Sequence, residues 1–278
     1  MISVASTSTD EFFLKSLNFS GGECHPQLSC PAIPKTDIIY VTARLQSGQD
    51  IMELLNVTEI LNWHYPHNYK ELIMPYLPYA RQDRRTRGEK GMSTAFSLKT
   101  FASIINPLKF DRILTYDVHS DVALAVIDRL EAVPVEQILD GFKPFREFSR
   151  GTTLIIPDAG ASKRLRQVSS LFFQNKELTL SKKRDEATGK VMVEDISTPQ
   201  SGEAFIVDDI CDGGATFVES ARILRNAGFT QVYLYVTHGI FSKGFQPLLE
   251  AGINKVFYTN SCGVIHPTVE GVTYVQDI

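Results

Sequence analysis

The sequence predicts an α/β fold of two domains, each a mostly parallel sheet flanked by helices. Three observations carry that prediction. Apolar runs of strand length alternate with helix-length runs along the chain, the order that parallel sheets with crossover helices require. Clusters of Asp, Arg and Gly sit where strands give way to loops, the place where open α/β sheets bind ligands. The length of 278 residues suffices for two modest cores.

In chain order, Ile2 to Ala5 reads as a short first strand, with little room for a helix before Phe19. Strands follow at Ile38–Thr42, Leu72–Leu77 and Arg112–Tyr116, with helices at Ile51–Trp63, Thr94–Ile105 and Val122–Leu130. Met52, Leu55, Ile60 and Trp63 lie near helical spacing and read as core. The second half repeats the alternation without a sequence repeat. Its strands are Thr153–Ile156, Glu177–Leu180, Lys190–Val193, Ala204–Val207, Gln231–Thr237, Lys255–Thr259 and Val272–Val275, and its helices Ala161–Phe173 and Phe217–Ala227. The stretch 132–150 carries Pro134, Gly141 and Pro144 and marks the boundary. The expected domains are 1–140 and 141–278.

Composition narrows the partners. A formal net charge of −4 argues against nonspecific nucleic-acid binding, which calls for a basic face. No segment approaches the ~20 apolar residues of a membrane span, and the Ser/Thr-rich start lacks a signal-peptide pattern. A cytoplasmic protein is expected. Cys24, Cys30, Cys211 and Cys262 form no CxxC pair and no metal-ligand spacing with histidine, so they read as reduced thiols. His64 and His67 read as exposed residues at a helix end.

The sharpest chemistry lies in Ile206 to Thr216. An apolar strand runs into Asp208, Asp209 and Asp212, then Gly213, Gly214, Ala215 and Thr216, with a helix beyond. Glycines let backbone N–H groups converge on an anion, and the helix N-terminus adds its positive dipole end. Acids beside an anion site suit a sugar phosphate, whose hydroxyls they accept from. Read alone, the run is equally an acidic, ordinarily capped turn.

Three further segments occupy equivalent positions: Tyr79 to Arg85, Asp117 to His119, and Asp158 to Arg164. Basic residues cluster at Arg81, Arg84, Arg85 and Arg87 and again at Lys182, Lys183 and Arg184. A basic run by itself is usually a solvated face. Beside aspartates at strand ends, these clusters suit a polyphosphate.

Together the segments, from about Phe19 to the C-terminus, resemble the ribose-phosphate diphosphokinases, which make phosphoribosyl diphosphate from ribose 5-phosphate and ATP. The resemblance implies two type I phosphoribosyltransferase-like domains, an ATP site in the first and a ribose-phosphate site in the second. It places Arg81, Gln82 and Asp83 in the ATP segment, and His119 and Asp158 around magnesium and the triphosphate. Phe19-Ser20-Gly21-Gly22-Glu23 is similar to an adenine-binding turn lent by a neighbouring subunit, with Phe19 stacking and Glu23 accepting from the amino group. That implies a homo-oligomer, at least a dimer. Lys182 and Arg184 match a basic catalytic pair on a flexible loop.

Departures from the family pattern matter too. Gly21 stands where Asp or Asn is usual, and the chain stops after the strand Val272–Val275, where relatives usually continue into another helix. In the acceptor loop the family's first threonine has become Gly213. A hydroxyl donor to the sugar 5-phosphate is lost and room is expected in its place. Ribose 5-phosphate is the default acceptor. ADP-ribose, whose 5-phosphate is esterified onward, is the alternative, as in the bacteriophage branch that makes ADP-ribose 1-diphosphate for NAD resynthesis. A phosphoribosyltransferase or an inactive regulatory homologue are lesser alternatives.

Overall fold

A computed structural model describes residues 1–88, 92–157, 159–172, 176–180, 182–184, 191–193, 196, 200–264, 266, 269 and 272–278. The chain divides into two compact units, Met1–Val133 and Pro134–Ile278.

In the first unit, β1 (Ile2–Ser6) is followed by a hairpin, β2 (Leu14–Asn18) and β3 (Cys24–Leu28), which the sequence had not disclosed. Then come β4 (Ile38–Ala43), α1 (Gly48–His64) and β5 (Tyr69–Ile73). A small antiparallel pair, β6 (Thr86–Arg87) with β7 (Ser93–Thr94), precedes α2 (Ser97–Ile105), β8 (Arg112–Tyr116), α3 (Val122–Val126) and β9 (Leu130–Val133). The sheet order is β1-β4-β5-β8-β9, parallel except for β1.

Four expectations need correction. β5 starts earlier than Leu72 and stops before Leu77 because Pro75 offers a carbonyl, taken by the Tyr116 N–H at 3.3 Å, but has no N–H to continue the ladder. Met74 and Leu77 are buried nonetheless. α2 starts at Ser97 because Thr94 pairs with Thr86 in β7. α3 stops short of Leu130: Arg129 takes a left-handed φ of 59°, and the chain turns into β9. On α1, the buried face is Leu54, Val57, Thr58 and Leu61, whereas Met52 is 50% and Trp63 77% exposed. The helix begins in a capping box: Ser47 Oγ accepts from the Asp50 N–H, and the Asp50 carboxylate accepts from the Ser47 N–H.

The second unit opens with two helices inside the stretch expected to be a boundary, α4 (Val135–Gly141) and α5 (Lys143–Phe148), whose Val135, Leu139 and Phe145 join its core. β10 (Thr153–Ile156), α6 (Ala159–Arg164) and β11 (Glu177–Thr179) follow. α6 is shorter than the expected 161–173 helix, and a 3₁₀ turn at Val168–Leu171 follows it; Phe173 lies outside the described residues. β12 (Lys182–Arg184) and β13 (Val191–Val193) pair antiparallel. The chain finishes with β14 (Glu203–Cys211), α7 (Ala215–Ala227), β15 (Gln231–Gly239), α8 (Gln246–Glu250), β16 (Lys255–Thr259) and β17 (Thr273–Gln276). The sheet order is β11-β10-β14-β15-β16-β17, all parallel. An aromatic cluster of Phe145, Phe172, Phe205, Tyr235 and Phe257 fills one face. The central strands are buried on both faces, which is why β14 and β15 read as continuous apolar runs. No helix among the described residues is long and apolar enough to cross a membrane.

Candidate active site

In the second unit the acidic segment is a strand end rather than a loop. β14 runs on to Cys211, with Asp208 opposite Val236, Ile210 opposite His238 and Cys211 opposite Gly239. The expected strand end at Val207 fell short because two adjacent acids look unfit for a buried ladder. Their fitness comes from α6: Arg164 Nη2 lies 2.7 Å from Asp208 Oδ1 and 3.9 Å from Asp209 Oδ1. The Asp209 N–H also donates to Asp208 Oδ1 at 2.9 Å. The sequence singled out the Asp158–Arg164 segment but assigned Arg164 no role. Its signal was the last position of a helix following a strand adjacent to β14.

One guanidinium thus faces two adjacent carboxylates. Burial first, and then the Asp209 carboxylate, push the Asp208 carboxyl up to about 7 against the pull of Arg164. The sign of the consequence follows from linkage. A carboxyl whose folded pKa lies above its unfolded value keeps its proton in the folded state while the unfolded chain has lost it. Its contribution is therefore fullest below the unfolded value near 3.8 and declines until about pH 7. The melting temperature of Asp208→Asn relative to wild type is expected to climb from pH 5 to pH 7 and then level. A difference independent of pH would mean that Arg164 keeps Asp208 ionised throughout.

Beyond Cys211 the chain turns through Asp212, Gly213 and Gly214 into α7. Gly214 has φ 74°, a left-handed conformation that glycine adopts without cost, and brings no side chain to cap the helix. A Cβ there would also come 3.0 Å from Leu248 Cδ2. Gly213 is different: its backbone is not left-handed, and a Cβ would meet Lys243 Cε at 3.7 Å, Lys243 Cδ at 3.9 Å and Ser242 Oγ at 3.9 Å, ordinary contacts. The space next to Gly213 is thus lined by the Lys243 stem rather than open, which corrects the expected enlargement. Ala215 and Thr216 form the first turn of α7. Asp212 is exposed and Thr216 half-buried. Asp208 and Asp209, the glycine turn and this helix start are brought together as the sequence suggested.

Lys182 and Arg184 stand on β12, opposite Val193 and Val191. Within the expected loop these positions form a short strand, and residues 181 and 185–189 lie outside the described residues. Asp158 lies outside the described residues, directly before α6.

In the first unit, Arg81, Gln82 and Asp83 follow Tyr79, whose φ is 63°. The turn is held by Gln82 N–H to Tyr79 O at 2.9 Å and by Leu98 N–H to Gln82 O at 3.2 Å. Arg81 and Gln82 are exposed. Asp83 Oδ2 accepts from Ser120 Oγ at 2.8 Å, which ties this turn to the loop after β8 that carries His119. His119 is exposed, while Asp117, at φ 39°, is buried. Strained backbone of this kind clusters at functional sites. Neither Ser120 nor the two left-handed residues were foreseen, because tertiary context alone sets them.

Phe19 and Glu23 sit at the tip of the β2–β3 hairpin, closed by Phe19 N–H to Glu23 O and Gly22 N–H to Phe19 O, both 2.9 Å. Phe19 is 56% exposed, with its ring 6.1 Å from that of His25. Among the described residues no group of three or more His, Cys, Asp or Glu forms a cation site. All four cysteines are free thiols.

Comparison with known proteins gives a consistent picture. A family profile described as phosphoribosyl synthetase-associated domain matches residues 178–268. Ribose-phosphate pyrophosphokinase A of Dictyostelium discoideum is 31% identical over 256 residues, which are 87% of this chain and 75% of that protein. The ribose-phosphate pyrophosphokinase of Mycoplasmopsis pulmonis is 30% identical over 87% of this chain and 74% of its own length. The crystal structure of phosphoribosylpyrophosphate synthetase from Mycobacterium smegmatis superposes with a TM-score of 0.78 at 21% identity, covering 97% of this chain and 87% of that one. At that identity it supports the fold: two parallel-sheet α/β units.

Proposed function

The chain belongs to the ribose-phosphate pyrophosphokinase family, and on that premise we propose that it transfers the β,γ-diphosphoryl group of ATP to the C1 hydroxyl of ribose 5-phosphate. The C1 oxygen bonds to the β-phosphorus, the bond from that phosphorus to the α,β-bridging oxygen breaks, AMP leaves with that oxygen, and the hydroxyl proton is released to solvent. The observation that carries the proposal is the strand end bearing Asp208 and Asp209, continuous with the Gly213-Gly214 turn at the start of α7. The turn and the helix N-terminus suit the 5-phosphate, and the two carboxylates suit the ribose hydroxyls.

The remaining roles follow the chemistry. Charge accumulates on the departing α-phosphate, and the cations of Lys182 and Arg184 are assigned to stabilise it in the transition state. Arg81 supplies charge to the ATP phosphates, and Gln82 and Asp83 face the nucleoside. Phe19 and Glu23, on an exposed hairpin tip, serve the adenine of a neighbouring copy, so the working protein is at least a dimer. Magnesium suits the chemistry, since it is held by one or two side chains together with substrate phosphates and water. His119 and Asp158 are its candidates. When bound it neutralises the triphosphate.

The ADP-ribose alternative rested on room opened at Gly213, where the Lys243 stem now lies. The test is AMP release from ATP and magnesium with each acceptor in turn. Ribose 5-phosphate is expected to give the higher specificity constant. A much higher one for ADP-ribose overturns the acceptor assignment, and no AMP with either overturns the activity.

A further inference from the structure

We propose that Lys243 binds the acceptor's terminal phosphate, taking over from the hydroxyl that is absent at Gly213. The inference rests on the acceptor reading above and goes beyond it by naming the group that selects a phosphate monoester.

Three observations lead to it. First, position: Lys243 Cε, one bond short of the ammonium, is 3.7 Å from where the first side-chain atom of residue 213 would stand. A threonine at 213 would hold its hydroxyl in that neighbourhood, so the ammonium and the lost donor serve the same volume. Second, rigidity: the segment bearing Lys243 is fastened to the strand that feeds the turn. The Ile240 and Phe241 N–H groups both donate to Cys211 O, at 2.9 and 3.0 Å, and the Ser242 N–H donates to Asp212 O at 3.1 Å. Phe241, at φ 44°, is buried against Phe245, Tyr258 and His266 with ring centroids 4.7 to 5.1 Å apart. Lys243 is exposed between two buried anchors, Phe241 and Phe245. Its backbone is fixed and its head is free to reach the turn.

Third, charge. Asp208, Asp209 and Asp212 stand in succession at the approach to the turn, and Arg164 lies against the first two. A terminal phosphate dianion entering a turn that follows three acids gains more from a cation than from another neutral donor. A lysine ammonium is a compact charge on a flexible stem, suited to phosphate as a point contact. Exchanging a hydroxyl for an ammonium favours a monoester carrying nearly two charges over a phosphodiester carrying one. The pairing of Gly213 with Lys243 is thus a specificity device.

The experiment compares wild type with Lys243→Gln, Lys243→Arg and the double variant Lys243→Gln/Gly213→Thr. Lys243→Gln is expected to raise KM for ribose 5-phosphate about tenfold or more, the order of one charged hydrogen bond, with a smaller effect on kcat and KM for ATP within about twofold. Lys243→Arg should retain most of the affinity. Gly213→Thr should recover part of it in the double variant, since φ at 213 admits a side chain. Calorimetric titration with inorganic phosphate gives a readout free of turnover, and there Lys243→Gln should weaken binding by a similar factor. Unchanged phosphate affinity and unchanged acceptor KM in Lys243→Gln would overturn the proposal while leaving the enzyme assignment standing. Absence of ribose 5-phosphate turnover in wild type overturns that assignment instead, and the phosphate titration then still decides whether Lys243 holds the anion.

Discussion

Replacing Lys182 or Arg184 by alanine is expected to cut turnover about a hundredfold or more and to leave ATP affinity nearly unchanged. The diphosphoryl group is transferred by positioning and electrostatics, since no covalent intermediate relieves the charge on the departing AMP oxygen. A cation that meets this charge only as the bond breaks contributes to the transition state and little to the ground state, so its loss appears in kcat. Both residues stand on β12, opposite Val193 and Val191, a register that fixes their backbone. The comparison uses initial rates at saturating ATP together with ATP binding by titration. Turnover within a few-fold of wild type in both variants would remove the pair from the chemistry, and a matching loss of ATP affinity would make them binding residues.

The second large effect belongs to the carboxylates. Asp208→Asn and Asp209→Asn should each weaken the sugar phosphate by about 1.5–3 kcal/mol, roughly ten- to a hundredfold, and change ATP affinity far less. Asparagine keeps the shape of the strand end, and the main-chain ladder of β14 with β15 does not depend on these side chains. The charge balance with Arg164 does depend on them: in Asp208→Asn the guanidinium loses the carboxylate at 2.7 Å and keeps that of Asp209 at 3.9 Å. Separate titrations with ribose 5-phosphate and with ATP distinguish the roles. Equal losses for both ligands would mean that the strand end had lost its form.

The parts of the fold legible in the sequence were those where a short apolar run ended in an unambiguous turn. Arg112–Tyr116, Thr153–Ile156 and Lys255–Thr259 carry the expected limits. Elsewhere apolarity reported burial without reporting conformation. Met74 and Leu77 are in the core yet outside β5, because Pro75 cannot donate to a ladder. α1 is apolar on more than one side, and which arc faces the sheet depends on where the helix lands. Leu54, Val57 and Leu61 won over Met52 and Trp63.

The candidate site divides in the same way. The glycine turn and its neighbouring acids were legible because backbone anion binding needs glycine at a strand-to-helix junction. What the linear pattern hid were partners from distant segments: Arg164, 44 residues from Asp208; Ser120, 37 residues from Asp83; and Lys243, which fills the space that Gly213 had suggested was open. Such pairings arise from parallel strand order, which brings α6 and the segment after β15 to the end of β14.

The most direct test of diphosphoryl transfer is phosphorus NMR of a single reaction containing purified protein, ATP, magnesium and ribose 5-phosphate. The account predicts resonances of AMP and of a diphosphate on C1 of the sugar growing in equal amounts, with no ADP. ADP as the nucleotide product, or ATP left unconsumed while ADP-ribose in a parallel tube is converted, would contradict it.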